Sequence, residues 1–349
     1  MNTNVADRKK SELENCTYVK TILMLIVVIY HCVLFFGGNW LSVKPIYTSV
    51  WMKKIAMWLN SFHIYTFTLV SGYLFYYIRE ERGGYTRYLP FVWNKFKRLV
   101  VPYFFVSFIW IIPIERKLFG YGPSDIVKKF VLAEGPSQLW FIVMLFMVFT
   151  LFWPMANFVK NRAVLSALLM IVLYGVGGIG QILFRNYFQI WTAAQFLVFF
   201  WLGFVIRQYE CKWMKKIPGF VWLIAHVSIF VINEMIEGSE WIIAKVLSIG
   251  TSFLLHLIGA VMGFVVLQKI ASMVNTKNKY LFFLGKRSMP VYMLHQQLVC
   301  IIAIMLNGKV NPYIHAVIIF MGVMVGALVI SSILLEFKLT RFLLGEKPK

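Results

Sequence analysis

Long apolar segments separated by short polar ones make up most of the chain. A run of about 20 apolar residues is long enough to cross a bilayer as a helix. The pattern marks ten such runs, at residues 18–36, 57–78, 98–114, 138–158, 163–183, 188–206, 218–236, 245–267, 280–306 and 312–335. It therefore predicts an all-α integral membrane protein with about ten transmembrane helices.

The overall composition supports a membrane protein and excludes a nucleic-acid-binding one. Hydrophobic residues make up 60% of the 349 residues, charged residues make up 14%, and the mean hydropathy is +0.73. A chain this apolar cannot expose a wetted surface on all sides, so its solvent is the bilayer. The net charge of +21 then reflects Lys and Arg in cytoplasmic loops rather than a surface for nucleic acid.

The distribution of charge predicts the orientation. With the N-terminus inside, the inside segments hold 25 Lys and Arg residues and the outside segments hold 10. Because basic residues accumulate on the cytoplasmic side, both termini are predicted to be cytoplasmic, in a multi-pass protein of the cell (plasma) membrane. The predicted organisation is a cytoplasmic N-terminal tail at 1–17, a ten-helix membrane domain at 18–335 and a cytoplasmic tail at 336–349.

Histidine is the prominent ionisable residue of the predicted segments. All six histidines lie within or at the edge of a segment, whereas of the 14 acidic residues only Glu234 lies inside one. Ionisable groups are costly in a bilayer and commonly functional there. The imidazole group, with an ordinary pKa of about 6.5, is therefore the base available for proton transfer at neutral pH.

The first segment carries the most informative pair of residues. Lys20 and His31 are 11 residues apart, a spacing that returns to within about 20° of the same helix face and separates them by about 16 Å along the axis. One face would then carry a cation near the cytoplasmic surface and an imidazole deep in the membrane. A snorkelling lysine and a structural histidine fit the same pattern.

Other polar positions carry weaker signals, each with a structural alternative. Lys95 and Arg98 lie three apart, on one helical face, and could bind phosphates, although from the spacing alone the favoured explanation is the bias of positive charge to the inside and attraction to anionic lipid. Trp140 fits an interfacial anchor. Tyr292 and His295 could line a cavity or form a buried hydrogen-bonded pair. The dipeptide Ser71-Gly72 is typical of close helix packing.

Taken in order, these residues resemble the motifs of the membrane-bound acyltransferase-3 family, whose ten-span members acetylate polysaccharides and other cell-surface sugars. The resemblance covers residues 18–335 and rests on five loose motifs in the family's order. The matching residues are Lys20 and His31; Phe62-His63, Phe67 and Ser71-Gly72-Tyr73-Leu74; Lys95, Arg98, Leu99, Pro102 and Tyr103; Leu139-Trp140-Phe141; and Tyr292 and His295.

The resemblance implies transfer of an acetyl or other acyl group from cytoplasmic acyl-CoA to a hydroxyl of a cell-surface glycan or its lipid-linked precursor. The phosphates of CoA, the donor substrate, would bind Lys20, Lys95 and Arg98. His31 would act as the general base or carry the acyl group transiently. No bound cofactor and no metal site are expected, and the partners would be acyl-CoA, the glycan acceptor and membrane lipids.

The remaining motif residues are expected to line or support the cavity: His63, Ser71, Trp140, Tyr292 and His295. Tyr292 or His295 is expected to orient His31, since the first segment holds no acid that could do so. Lys20 and Lys95 depart from the family pattern, in which many members carry Arg, and lysine lacks the bidentate fork of arginine.

Two other classes of function are compatible with a ten-span bundle. A glycan exporter or flippase of the same fold would carry out no covalent chemistry, and a scaffold of a synthesis complex would need neither His31 nor the basic pair. The absence of visible internal repeats argues against a standard transporter fold. Acetyl content of the surface glycan, with and without the protein, separates the enzyme from the exporter.

Overall fold

The computed structural model describes residues 3–38, 40–238, 241–273 and 279–346. The first two residues of the predicted N-terminal tail and the last three of the predicted C-terminal tail lie outside this part of the chain. The described residues form helices and connecting turns, with no strand among them.

Sixteen α-helices follow one another along the described residues. In chain order, α1 to α8 are Thr3–Leu34, Val50–Asn60, His63–Tyr76, Tyr88–Lys95, Val101–Val106, Ile112–Phe119, Pro123–Ile126 and Trp140–Asn161. Helices α9 to α16 are Ala163–Leu183, Ile190–Gln208, Lys212–Lys216, Gly219–Glu237, Ile242–Met273, Lys279–Met305, Pro312–Glu336 and Lys338–Leu343. Single π-helical turns continue α3 and join α4, α5 and α6 into one long helix.

Within the described residues, nine helical stretches are long and apolar enough to cross a membrane. They are Asn15–Gly37, Tyr88–Phe119, Ser137–Asn161, Ala163–Leu183, Tyr187–Gln208, Gly219–Glu237, Ile243–Met273, Lys279–Met305 and Pro312–Glu336. Each overlaps one of the ten predicted segments. The prediction of an all-α integral membrane protein is therefore confirmed.

The second predicted segment, at 57–78, differs from the structure. The chain breaks at Ser61 and Phe62, between α2 and α3, where the Ser61 hydroxyl donates to the Trp58 carbonyl at 2.7 Å. Helix α3 is only moderately apolar, yet most of its residues are buried against α1, α10 and α13. A helix enclosed by other helices can carry polar side chains because its neighbours, not lipid, surround it. Helix α3 is therefore an inner helix of the bundle.

Two glycines let α3 and α10 approach until their backbones touch. A Cβ atom added to Gly72 would lie 1.9 Å from the Phe200 carbonyl oxygen, and one added to Gly203 would lie 1.9 Å from the Leu69 carbonyl oxygen. No side chain fits at either position. The close helix packing predicted from Ser71-Gly72 is thus present, and it is reciprocal: each helix supplies one glycine.

Both termini of the described chain lie at one end of the bundle, called here the terminal end. There, Gly285 of α14 approaches the Thr21 hydroxyl of α1, and Gly345 approaches the Arg98 carbonyl. The opposite end holds the loop after α1 and the loop before α15, joined where the Asn307 amide donates to the Lys44 carbonyl at 2.9 Å. Termini at one end agree with an even number of crossings. That this end is cytoplasmic stays a prediction.

Candidate active site

Two histidines from different helices meet near the opposite end of the bundle. His31 lies one turn before the end of α1, and its Nδ1 atom is 2.9 Å from the Val27 carbonyl oxygen and 3.1 Å from Nε2 of His295 on α14. Nδ1 of His295 is in turn 2.6 Å from the Tyr292 carbonyl oxygen. The expected neighbour of His31 is thus found. His31 itself is nearer the helix end than the sequence suggests.

The partners of these rings assign their protons. A backbone carbonyl only accepts hydrogen bonds, so we assign a proton to Nδ1 of His31, facing Val27, and to Nδ1 of His295, facing Tyr292. Nε2 of His295 then carries a lone pair that accepts from His31 Nδ1–H. No described residue hydrogen-bonds to Nε2 of His31. In the neutral ring with its proton on Nδ1, this Nε2 atom carries a free lone pair, which is what a general base requires.

His31 borders a cavity of about 540 Å³ near the opposite end of the bundle. The size lies within the range of small-molecule sites. Its walls combine aromatic rings with amide and hydroxyl side chains. They include Tyr30, His31, Trp40, Asn60, His63, Phe67, Glu134, Ser137, Gln138, Trp140, Phe141, Gln181, Asn186, Gln189, Thr192, Tyr292 and Gln296. Rings beside hydrogen-bonding groups suit a ligand that has both apolar faces and hydroxyls.

The residues predicted to line or support the cavity lie in three different places. His63, Trp140 and Tyr292 line the cavity. His295 lies behind His31 and contacts it directly. Ser71 is not among the lining residues, and its hydroxyl donates to the Phe67 carbonyl at 2.9 Å within α3.

A buried carboxyl group beside the cavity was missed in the sequence. Glu115 is 4% exposed, and the Gln297 amide donates to it at 3.1 Å. The same amide donates to Gln138, and the Gln138 amide donates to the Met293 carbonyl at 2.7 Å. The Tyr292 hydroxyl donates to the Gln138 carbonyl. This network joins α6, the turn that precedes α8, and α14 beside the cavity.

The inference that buried carboxylates are nearly lacking therefore needs correction. The third predicted segment, 98–114, ended one residue before Glu115, whereas the helix runs on to Phe119. Glutamate is tolerated there because Gln297 reaches it from α14. The adjacent pair Gln296-Gln297, in an otherwise apolar segment, was the available signal. Glu234 instead pairs with Lys54 at 3.2 Å.

The three predicted phosphate-binding cations gather at the terminal end. Lys95 is close enough to Lys20 and Arg98 to interact with both electrostatically, and its ammonium lies 3.5 Å from the centre of the Phe149 ring. Among the described residues, no carboxylate lies within 4 Å of any of the three. Clustered cations without a counter-ion repel one another, so an anionic ligand would stabilise them.

One carboxyl group acts on this cluster from a longer distance. Glu346 follows α16 and interacts electrostatically with Arg98, while burial raises the pKa of its carboxyl above the ordinary value. The C-terminal chain is held in place by Leu344, which is fully buried. The C-terminal residues thus form part of the cation site's surroundings.

One face of α1 connects the two sites. Lys20, Leu23, Met24, Val27 and His31 follow the three- and four-residue spacing of a single helix face. The cavity lining on α1 reaches Val27 but not Lys20. Between the sites the face is apolar and buried, so a ligand spanning both must displace packed side chains.

Comparison with known proteins adds the family. The model of the acyltransferase domain of the acyltransferase-3 family matches residues 14–336. Neither the comparison with curated proteins nor that with solved structures finds a match. Among the described residues, no group of three or more His, Cys, Asp or Glu side chains could hold a metal ion. The match includes both histidines and all three cations, and the chain therefore belongs to the acyltransferase-3 family of membrane acyltransferases.

Proposed function

We propose that the protein is an O-acyltransferase that moves an acetyl or other acyl group from cytoplasmic acyl-CoA to a hydroxyl of a cell-surface glycan or its lipid-linked precursor. The observation that carries the proposal is the unbonded Nε2 of His31 on the wall of a polar and aromatic cavity. Membership of an acyltransferase family supports group transfer. The proposal also requires that the terminal end faces the cytoplasm.

In the proposed reaction, Nε2 of His31 removes the proton from the acceptor hydroxyl. The hydroxyl oxygen forms a bond to the thioester carbonyl carbon, the carbon–sulfur bond breaks, and the departing thiolate takes the proton from the imidazolium of His31. The products are an ester and free CoA. His295 stabilises the transient imidazolium because its Nε2 lone pair accepts from His31 Nδ1–H.

The donor would enter from the terminal end. The phosphates of CoA would bind Lys20, Lys95 and Arg98, because an anion would relieve the repulsion among these cations. The arm that carries the thioester would then follow α1 toward His31, over about 16 Å of helix. It would push apart the packed side chains of Leu23 and Met24. The acceptor would occupy the cavity, where rings can stack on sugar faces and amides can bind hydroxyls.

The test is the ester content of surface glycans in cells that carry the wild type, His31→Gln or His256→Gln, at matched membrane abundance. Glutamine keeps polarity but cannot exchange a proton at neutral pH. Loss of a general base costs about 10²–10⁴-fold in rate, so we expect His31→Gln to abolish glycan acylation. His256 is the matched control: it is absent from the cavity lining, and its ring stacks on Tyr65.

Normal acylation with His31→Gln would contradict the proposal. An exporter or a scaffold tolerates that variant because neither function needs a base. Equal loss with His256→Gln would also count against a specific role of His31.

A further inference from the structure

A second histidine on the cavity wall has an unused nitrogen. His63 is the first residue of α3, is 1% exposed and lines the cavity. Its Nδ1 is 2.6 Å from the Leu59 carbonyl oxygen, across the break between α2 and α3. That carbonyl assigns the proton to Nδ1, so Nε2 carries a lone pair. Nε2 of His63 is buried and has no hydrogen-bond partner.

This unsatisfied atom has a distinctive location. Six buried side-chain polar atoms of the described residues lack a partner, on Trp58, His63, Ser107, Gln208, His226 and His256. Of these residues, only His63 lines the cavity. A buried acceptor without a donor costs free energy. A ligand in the cavity that donates a hydrogen bond would remove this cost.

His63 and His31 are held in the same way and flank the same ring. Each places Nδ1 against the carbonyl oxygen four residues earlier, Leu59 for His63 and Val27 for His31. The Tyr30 ring is near both, with its centre 5.2 Å from that of His63 and 4.7 Å from that of His31. Two imidazoles therefore border one cavity, and no described residue hydrogen-bonds to the Nε2 atom of either.

We propose that Nε2 of His63 accepts a hydrogen bond from a second hydroxyl of the acceptor, so that the site selects a polyol such as a sugar ring over a mono-alcohol. This inference rests on the proposed function and deepens it. His31 acts on the hydroxyl that is acylated, and His63 binds a hydroxyl that is not. A site built to bind a hydroxyl rejects ligands without one because its own polar atom is then left unpaired.

The experiment uses the full chain, purified into lipid nanodiscs, with acetyl-CoA as donor and two kinds of probe acceptor. Ethanol has one hydroxyl, whereas methyl glycosides of glucose, galactose and mannose have four. The measured quantity is the preference, defined as kcat/KM for the best glycoside divided by kcat/KM for ethanol. The wild type is expected to prefer the glycoside.

The matched variants of His63 keep or remove one nitrogen function at a time. His63→Asn retains an amide that can donate to the Leu59 carbonyl but has nothing at the position of Nε2. It should lower kcat/KM for the glycoside by a larger factor than kcat/KM for ethanol, so that the preference falls about tenfold or more. His63→Gln can place an amide oxygen near the position of Nε2 and should recover part of the preference. His31→Gln should lose both reactions.

The outcomes separate the two proposals. An unchanged preference in His63→Asn overturns the role of His63 alone. Loss of ethanol acylation in both folded His63 variants also overturns it, because His63 would then serve the chemistry itself. A wild type that prefers no glycoside to ethanol contradicts the inference as well. A wild type that acylates no acceptor overturns the proposed function, and the role of His63 with it.

Discussion

Nδ1 of His31 lies 3.1 Å from Nε2 of His295, which joins the end of α1 to the middle of α14 through two imidazole rings. The Tyr292 carbonyl binds the far nitrogen of His295. His295 is thereby fixed as a hydrogen-bond acceptor for His31. It cannot serve as a second base at the cavity, because its Nε2 lone pair already faces His31.

This pairing predicts graded effects of replacing His295. Glutamine can still accept from His31 Nδ1–H, so His295→Gln should keep a substantial fraction of acyl transfer. His295→Phe fills the space without an acceptor and should lower kcat about 10- to 100-fold. Equal rates for the two variants would show that His295 only fills space.

The cluster of Lys20, Lys95 and Arg98 is predicted to contribute to the affinity for acyl-CoA. Replacing Lys95 and Arg98 together with alanine should raise KM for acyl-CoA about tenfold or more, since charge-assisted hydrogen bonds to phosphate are lost. Lys97→Ala is the matched control because it removes a nearby charge whose ammonium lies over Trp93, outside the cluster. Saturation curves at constant ionic strength measure the effect. If the double variant has the same KM for acyl-CoA as Lys97→Ala, Lys95 and Arg98 do not bind the donor and reflect only the bias of basic residues to the cytoplasmic side.

Variants of Val27 test whether the thioester-carrying arm of the donor follows α1 to His31. It is 4% exposed and lines the inner end of the cavity, between Lys20 and His31 on one helix face. Val27→Phe should narrow this route and lower kcat about tenfold or more, while Val27→Ala should widen it and retain activity. Turnover of acetyl-CoA per folded protein is the measurement. Wild-type turnover by Val27→Phe would mean that the thioester reaches His31 by another path.

The crossing of α3 and α10 predicts a large loss of stability from one methyl group. An alanine Cβ at Gly203 would overlap the Leu69 carbonyl oxygen, and overpacking of this kind costs about 1–3 kcal/mol or more. Gly175→Ala on α9 is the control, since nothing lies within 4 Å of its added Cβ. Thermal unfolding in detergent should show a lower Tm for Gly203→Ala and little change for Gly175→Ala. Matching Tm values would mean that the helices can separate at no cost.

Segment length and apolarity were sufficient to predict the helices that face lipid, because a bilayer requires long apolar runs. They failed at the second segment. The run 57–78 mixes apolar residues with polar ones such as Asn60 and Ser61, and nothing in its hydropathy shows that Ser61 turns the chain. That turn depends on a hydroxyl bonded to the Trp58 carbonyl and placed 3.0 Å from Nε2 of His226. His226 is 165 residues away in sequence.

The sequence was sufficient to predict which residues form the site, but not which contacts they make across helices. Spacing alone placed Lys20 and His31 on one face of α1, since a continuous helix fixes their relation. The contact of His31 with His295 and the burial of Glu115 beside Gln297 depend on how α14 packs against α1 and α6. Such contacts between helices distant in sequence leave no periodic signal in a single chain.

The separation of the cations from His31 along α1 determines on which side of the membrane each reactant stays. With the cation site at one end of the bundle and the cavity near the other, the proposed reaction is vectorial: the acyl group changes compartments, while the nucleotide carrier and the sugar each stay on their own side. CoA is regenerated where it is made. The outer surface could then be decorated without any activated donor ever leaving the cytoplasm.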